Sequence, residues 1–204
     1  MNYNDYWNNK HPKQPIIYAG RAIRGCDKRI NIDVRQMIWE DDYMLDKVCG
    51  HIAGSNDNKA HWAQKYIVKN IKYVSDKKKA DINECWQFPN ETLVTKTGDC
   101  EDGAILLASM MLCMGIPNWR VRVTAGLVST GTNAESGGHA YVTYCREKDN
   151  NWVVLDWCYL QDSALEVRNK SVMRDRKEYQ KIWFSFNNQY SWSHETYGVI
   201  NGVK

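Results

Sequence analysis

Three residues in this sequence have the types and spacing needed for nucleophilic catalysis: Cys100, His139 and Asp156. Cys100 lies in the run TGDCED (residues 97–102), which precedes an almost unbroken apolar run from 104 to 114. A glycine, a capping aspartate and an apolar run predict that Cys100 stands in the first turn of a buried helix. The helix dipole favours a thiolate there, so Cys100 is a candidate nucleophile. The alternative is a small buried cysteine, which describes most cysteines in a reducing compartment.

His139 differs from the other four histidines because it follows two glycines and begins a predicted strand. The runs 139–145 and 152–157 predict a hairpin whose turn is centred near residues 147 and 148. Such a turn places residue 156 opposite residue 139, and a turn shifted by one residue would still leave the two as near neighbours. Asp156 could then orient the imidazole and stabilise its charged form, as the acid of a triad does. Without His139 opposite it, Asp156 could equally be an ordinary carboxylate at a strand end.

Helical periodicity precedes this candidate site in the chain. One helix is predicted from Asp33 to Gly50, and a second opens at residues 55–58. The inner face of the second helix is expected to carry Trp62, Tyr66, Ile67, Ile71 and Val74. The cysteine helix, residues 100–114, is apolar on every face and should be wrapped by the rest of the domain. The irregular, aromatic segment 85–93 is either a packed connector or the wall of a site.

Two further strands are predicted from alternating apolar and polar residues, at 119–128 and 182–186. The charged segment 168–181 is expected to be partly helical, and the aromatic run 190–194 to pack on the domain. Residues 1–31 form a polar and aromatic arm that ends in a short extended segment. No internal repeat or linker divides the chain, so residues 1–204 are expected to form a single domain.

The composition argues against several classes of function. Basic and acidic residues, 27 and 24 in number, are interleaved and leave a net charge of +3, which gives no concentrated field for nucleic acid. No window reaches the ~18 apolar residues of a membrane span, and the N-terminus lacks the features of a signal peptide. A cytoplasmic protein is therefore expected. Seven irregularly spaced cysteines predict free thiols in a reducing compartment.

Three blocks of the sequence resemble the motif blocks of the transglutaminase-like superfamily. They are residues 97–102, residues 138–142 (GHAYV) and residues 154–156 (VLD), in the order Cys, His, Asp. The likeness is to the small bacterial and phage members and to the bacterial transglutaminase-like cysteine proteinases, over a core of about residues 60–160. It implies a papain-like α+β fold in which N-terminal helices and the cysteine helix pack on an antiparallel sheet.

The resemblance also implies roles for individual residues. Cys100 would be the nucleophile, His139 the base and Asp156 the orienting acid, and the Cys100 amide would contribute to an oxyanion hole. Related folds use an upstream glutamine or tryptophan as a second donor. The candidate oxyanion or substrate-binding residues are therefore Gln87, Trp86 and Trp157.

Two acids follow the candidate nucleophile directly. Glu101 and Asp102 resemble the acidic pair of the calcium-dependent periplasmic proteinases in this group, which makes them calcium candidates. The alternative is that both are ordinary acids at a helix start. No other cofactor is expected, and zinc is disfavoured because the thiols and His139 show no ligand spacing.

These features predict a cysteine-dependent enzyme that attacks peptide or glutamine-type amide bonds and forms a thioester on Cys100. Hydrolysis is favoured over transamidation, because no second module for holding an amine is evident. The expected partner is a protein or peptide substrate, with no nucleic acid and no membrane. The alternative is a non-catalytic structural or interaction protein that keeps the fold. One example is a phage virion component with a virion or host-protein partner, which would be virion-associated.

Overall fold

The computed structural model describes residues 17–23, 26–76, 85–129 and 136–194, with side chains described outside residues 22–29. In these ranges the helices are α1 (Tyr43–Cys49), α2 (Asn56–Asn70), α3 (Pro89–Thr95) and α4 (Cys100–Cys113). The strands are β1 (Tyr18–Ile23), β2 (Cys26–Asp33), β3 (Lys72–Tyr73), β4 (Thr97–Gly98), β5 (Val121–Val128), β6 (Gly137–Cys145), β7 (Trp152–Leu155), β8 (Tyr179–Phe186) and β9 (Ser191–Ser193).

The main sheet has five strands in the order β7-β6-β5-β8-β9, and every neighbouring pair is antiparallel. The predicted hairpin is present as β6 and β7, and the predicted strand at 182–186 lies within β8. The central strand β5 was expected to be half-buried, but both of its faces are covered. A short parallel pair, β3 with β4, links the end of α2 to the start of α4.

Helix α4 is the centre of the fold. Every residue from Glu101 to Leu112 is buried, as its apolar side chains on all faces predict. The helix packs on β5 and β6 and is also contacted by α1, α2 and α3. It ends at Gly115, whose φ of 80° lies in the left-handed region that glycine adopts without strain. The α+β arrangement with the cysteine helix on an antiparallel sheet is therefore confirmed.

The N-terminal elements differ from the prediction. The helix expected from Asp33 to Gly50 is a 3₁₀ turn, Val34–Met37, followed by the separate helix α1. Asp33 caps the turn by accepting from the N–H of Arg35 at 3.0 Å, and Asp42 caps α1. A second N-cap aspartate thus divides one periodic pattern into two elements. Part of the expected arm is the hairpin β1–β2, while residues 1–16 lie outside the described ranges.

Three other segments also differ in detail. Residues 89–95 of the segment expected to be irregular form α3, which begins at Pro89 and is capped by Glu91 accepting from the N–H of Phe88 at 2.8 Å. The inner face of α2 is shifted from the predicted one, and its buried residues are Ala60, Ala63, Gln64 and Ile67. In the charged segment 168–181 helical structure is limited to 3₁₀ turns. In the described part of the chain, no helix is long and apolar enough to cross a membrane.

Candidate active site

Cys100 is the first residue of α4, and an indole holds its main chain in place. The Nε1–H of Trp157 donates to the carbonyl oxygen of Cys100 at 3.0 Å. Asp99 occupies the N-cap position, and its own N–H donates to Oδ2 of Asp102 at 3.3 Å. Trp157, a predicted oxyanion or substrate-binding residue, is 2% exposed, and its indole N–H is engaged with the main chain of α4.

Replacing Gly103 by alanine should destabilise the protein, because this glycine lies directly under the Trp157 ring. A Cβ at residue 103 would stand 2.2 Å from Cε2 of Trp157, and a rigid buried indole cannot move aside. Overpacking of this kind outweighs the gain of about 1 kcal/mol in helix propensity. We expect a net loss of about 2–3 kcal/mol, or about 4–12 °C in Tm by calorimetry.

The matched control is Gly137→Ala at the exposed start of β6, where an added Cβ meets no atom within 4 Å. Its Tm should stay within about 2 °C of the parent value. Equal melting temperatures for the two variants would mean that Trp157 does not pack on α4 as described.

His139 and Asp156 form a buried pair. Nε2 of His139 lies 2.8 Å from Oδ2 of Asp156, and the two residues are 3% and 1% exposed. Because a carboxylate can only accept, Nε2 carries the proton and Nδ1 is the basic nitrogen. Nδ1 is buried and accepts no hydrogen bond from a described residue. The ring of Tyr159 stacks on the imidazole with centroids 4.3 Å apart and fixes its plane.

The strand register that brings this pair together is not the predicted one. Leu155 pairs with Val142, so the turn lies one residue later than expected and β7 ends before Asp156. His139 and Asp156 are therefore not direct cross-strand neighbours, but the prediction that a one-residue shift of the turn would leave them close together is confirmed. The side chains still meet, because Asp156 lies one residue beyond the strand end and turns back toward the histidine.

Asp156 accepts hydrogen bonds on both carboxylate oxygens. Oδ1 accepts from the N–H groups of Cys158 at 3.0 Å and Tyr159 at 3.2 Å. Oδ2 accepts from His139 and from the hydroxyl of Tyr179 at 2.9 Å. Burial alone would raise the pKa of Asp156, but these bonds outweigh it and lower the pKa below its ordinary value. Asp156 is therefore ionised at neutral pH.

The groups around the Cys100 thiol shift its pKa in opposite directions. Burial and the charge of Glu101 raise the pKa of Cys100 well above its ordinary value, and the thiol donates to Oε2 of Glu101 at 3.1 Å. The amide of Ala140 acts in the other direction, because its hydrogen bond to sulfur lowers the pKa. Ala140 directly follows His139 in β6, so this contact places the thiol beside the histidine strand.

Three buried carboxylates converge next to the thiol. Asp76, Asp99 and Glu101 offer oxygens that all lie within 4.8 Å of one another, and the three residues are 4%, 8% and 7% exposed. The N–H of Cys85 donates to Asp76, and the N–H of Asp76 donates to Asp99 at 3.4 Å. Like charges this close in a buried site repel one another unless a proton or a cation is shared between them. Hard carboxylate oxygens are ligands that suit Ca²⁺.

The comparisons with known proteins agree with this architecture. The family model of the transglutaminase-like superfamily matches residues 48–157, more than half of the chain. The chain belongs to this superfamily. The resemblance noted in the sequence is thereby confirmed. A search of curated proteins found no match.

Solved structures similar to this transglutaminase-like chain include LapG from Legionella pneumophila. EGTA-treated LapG is 19% identical with a TM-score of 0.55, over 75% of this chain and 85% of LapG. Calcium-bound LapG is 18% identical with a TM-score of 0.53, over 76% of this chain and 89% of LapG. A candidate cysteine protease from Cytophaga hutchinsonii is 18% identical with a TM-score of 0.42, over 76% of this chain and 51% of that one. The LapG structures share the fold of this chain.

Two predicted residues of the transglutaminase-like site have other contacts. The side-chain amide of Gln87 donates to Asp102 and to the carbonyl oxygen of Thr97, so both of its hydrogens are engaged. In this arrangement neither hydrogen of the Gln87 side-chain amide is available to an oxyanion. Trp86 stacks on Phe186 with centroids 6.1 Å apart and packs against the core. Both residues hold the segment before α3 against the domain.

The two acids after Cys100 also separate into different roles. Asp102 accepts from the main-chain N–H of Gln87 at 2.7 Å and from its side chain, and it closes the N-terminus of α4. As a calcium candidate Asp102 is therefore replaced by Asp76 and Asp99, which join Glu101 in the acidic cluster. Asp76 lies 24 residues before Cys100 in an unremarkable segment, and no local pattern pointed to it.

Sequence reasoning missed three other residues of the site. Tyr179 reaches Asp156 from β8, and Tyr159 stacks on His139. The Cys158 thiol lies within 4.8 Å of ligand atoms of His139 and Asp156, and burial raises its pKa. Cys158 and Tyr159 could have been suspected because they directly follow Asp156. No local sequence pattern pointed to Tyr179, because its place beside Asp156 depends on the pairing of β8 with β5.

Replacing Glu101 by glutamine should lower the pKa of Cys100 in the cation-free protein. The carboxylate repels a thiolate and accepts the S–H bond, so its removal stabilises the thiolate. We expect the pH at which alkylation by iodoacetamide reaches half of its maximal rate to fall. The rate at Cys100 is measured by peptide mapping in EGTA. The exposed Glu166→Gln serves as control, and an unchanged or higher midpoint in Glu101→Gln would contradict the assignment.

Proposed function

We propose that the protein is a cysteine peptidase in which Cys100 is the nucleophile, His139 the base and Asp156 the orienting acid. The observation that carries the proposal is the buried His139–Asp156 pair, which leaves Nδ1 of His139 as the basic nitrogen. The next residue of the same strand, Ala140, contacts the thiol through its N–H. Thiol activation requires a base that can approach the thiol and an acid that fixes the tautomer of that base, and the His139–Asp156 hydrogen bond supports the second of these roles.

The proposed reaction proceeds in two halves. Nδ1 of His139 takes the thiol proton as sulfur attacks the carbonyl carbon, and the oxyanion forms near the N–H of Cys100 at the start of α4. The imidazolium then gives its proton to the departing amine, which leaves a thioester on Cys100. In the second half His139 takes a proton from water as the water oxygen attacks the thioester carbonyl carbon, and the C–S bond breaks to release the acid. The imidazolium then returns its proton to sulfur, which restores the thiol. Asp156 stays ionised throughout and stabilises the imidazolium.

The surroundings of the thiol favour a peptide substrate. Tyr73 and Tyr159 are 43% and 47% exposed. The ring of Tyr159 stacks on His139, and the ring of Tyr73 lies 6.0 Å from that of Trp157, whose indole donates to the Cys100 carbonyl oxygen. Exposed aromatic rings close to a candidate nucleophile suit packing against an extended peptide. Hydrolysis is the proposed outcome because water needs no binding site of its own.

The experiment is digestion of a peptide library by the whole protein, with new amino termini identified by mass spectrometry. The wild-type protein should cleave a restricted set of sequences, and Cys100→Ala should lower the rate by at least about 10⁴-fold. The control Cys113→Ala removes another half-buried thiol of α4 and should keep full activity. Cleavage that survives in Cys100→Ala, or products carrying an added amine in place of water, would overturn the proposal of a Cys100 hydrolase.

We further propose that Asp76, Asp99 and Glu101 hold a calcium ion. The donor set supports this: three buried carboxylates within 4.8 Å, all hard oxygen ligands. Calcium-bound LapG shows that a protein of this fold binds the ion. When bound, the ion supplies positive charge that offsets Glu101 beside the thiol. That charge favours the Cys100 thiolate.

Calcium binding is tested by thermal unfolding, independently of activity. Calcium at about 100 times its Kd should stabilise the wild-type protein relative to EGTA by about 2.7 kcal/mol, or about 5–11 °C. Asp76→Asn should remove most of this shift, whereas the exposed control Asp175→Asn should keep it. An equal Tm in calcium and EGTA would exclude the site and leave the peptidase proposal standing.

A further inference from the structure

A cavity of about 890 Å³ lies on the face of the main sheet that is turned away from α4. Alternate residues of β5 define the two faces: Val121 and Val123 join the core around α4, whereas Arg122 and Thr124 line the cavity. Its volume is in the range of pockets that hold small organic ligands. The cavity is separate from Cys100, since the sheet lies between them.

Among the residues that the structure describes, the charged ones around this cavity are all basic. Its lining includes Arg122, Arg174, Arg176, Lys177 and His194, with no described aspartate or glutamate. They come from β5, from the segment before β8 and from the residue after β9, so the positive charge is assembled from distant parts of the sequence. This convergence distinguishes the cavity from an ordinary solvated charge run.

Some of this charge is shared with acids outside the cavity. Arg176 pairs with Glu178 at 3.2 Å and with Asp162 at 3.5 Å, and the exposed Arg174 is 4.0 Å from Asp175. Lys177 forms no ion pair with any residue in the described ranges. An anion in the cavity would therefore meet the full charge of Lys177 and part of the charge of the two arginines.

Arg122 is a buried cation at the base of the cavity. It is 5% exposed, and its guanidinium lies 3.8 Å from the ring centre of Trp192 and 5.0 Å from that of Trp152. Burial lowers the pKa of Arg122 to about 9, which still leaves it charged at neutral pH. The two indoles offset part of the cost of burying the charge.

Hydroxyl groups complete the lining. The Thr124 and Thr143 hydroxyls are 2.9 Å apart, and the Ser185 hydroxyl is 2.9 Å from Nε2 of His194. All four side chains line the cavity. Rotatable hydroxyls next to fixed cations suit a ligand with several acceptor oxygens. A carboxylate offers two such oxygens and one charge, whereas a phosphate group offers three oxygens and up to two charges.

We propose that this cavity binds a small phosphorylated molecule through Arg122, Lys177 and Arg174, with the hydroxyl of either Thr124 or Thr143, whichever accepts in the bond between them, as a further donor. The concave shape and the buried arginine favour a compact ligand over a nucleic acid, which would need an exposed basic stripe. The site lies outside the proposed peptidase machinery and does not depend on it.

The test is isothermal titration calorimetry of the full-length protein with pyrophosphate as the probe, at constant ionic strength. EGTA is present throughout so that chelation of a divalent ion contributes no heat. We expect one site per chain with a Kd below about 1 mM. Acetate at the same ionic strength should bind at least about tenfold more weakly.

The variants assign the binding to this cavity. The double variant Arg174→Gln, Lys177→Gln changes two exposed side chains and should weaken pyrophosphate binding at least about tenfold, the cost of one lost charge-assisted hydrogen bond. Arg122→Gln should remove pyrophosphate binding, provided that this variant still melts cooperatively. If Arg122→Gln does not fold, the double variant alone tests whether pyrophosphate binds in this cavity. Lys69→Gln on α2 is the matched control and should bind as the parent does. No saturable heat, or equal affinity in the double variant, would overturn the proposal.

Discussion

Replacing His139 by alanine is expected to lower peptide hydrolysis by about 10³-fold or more, while the protein stays folded. The physical reason is that Nδ1 of His139 is the proposed acceptor of the thiol proton, and the pKa of Cys100 is raised by burial and by Glu101. Without the imidazole the thiol remains protonated at neutral pH and is a poor nucleophile.

A second measurement follows the thiol itself. Slightly sub-stoichiometric iodoacetamide at pH 6, followed by peptide mapping, should label Cys100 selectively in calcium-loaded wild-type protein and lose this selectivity in His139→Ala. The control is His51→Ala, an exposed histidine after α1, which should leave both hydrolysis and labelling unchanged. If the thiols react alike in the wild-type protein, or Cys100 keeps its selectivity without His139, the proposed role of His139 is wrong.

Asp156→Asn is expected to lower hydrolysis by about 10³–10⁴-fold through the tautomer of His139. The asparagine oxygen must replace Oδ1, because it faces the fixed main-chain N–H groups of Cys158 and Tyr159. Its NH₂ group then points toward His139 and can only donate. Nε2 must become the acceptor, the proton moves to Nδ1, and the nitrogen proposed to take the thiol proton is blocked.

This prediction distinguishes two effects of the substitution: a changed tautomer of His139, and the mere loss of the negative charge of Asp156. Asp156→Asn should melt cooperatively, because Tyr179 can reorient its hydroxyl, and NMR of the imidazole nitrogens should show the proton on Nδ1 instead of Nε2. Asp175→Asn, an exposed replacement of the same kind, should keep full activity and the Nε2 tautomer. Full activity in Asp156→Asn would exclude the orienting role proposed for Asp156.

The sequence predicted those parts of the fold that local patterns specify. The apolar run after Cys100 predicted a helix buried on all sides, and the alternation around His139 predicted the β6–β7 hairpin. The exact register was missed, because the ladder pairs Leu155 with Val142 and places Asp156 beyond the strand end. The two side chains meet in spite of this error, since both lie at the same end of adjacent strands.

Contacts between distant segments could not be predicted from one sequence. Gln87 was expected near the reacting thiol, but its amide binds Asp102, a choice that depends on how the segment before α3 packs on α4. Asp76 and Tyr179 reach the site from segments without any motif of their own. In each case tertiary packing, rather than local sequence preference, determines the partner of the side chain.

The hydrogen bond from Tyr179 to Asp156 has a consequence for how the protein matures during synthesis. Strand β8 pairs with the central strand β5, so the main sheet cannot close until residues up to Phe186 have left the ribosome. Cys100, His139 and Asp156 all emerge earlier. Asp156, however, gains the hydrogen bond from the Tyr179 hydroxyl only when β8 pairs with β5. A nascent chain therefore carries every proposed reactive group before it carries their final geometry.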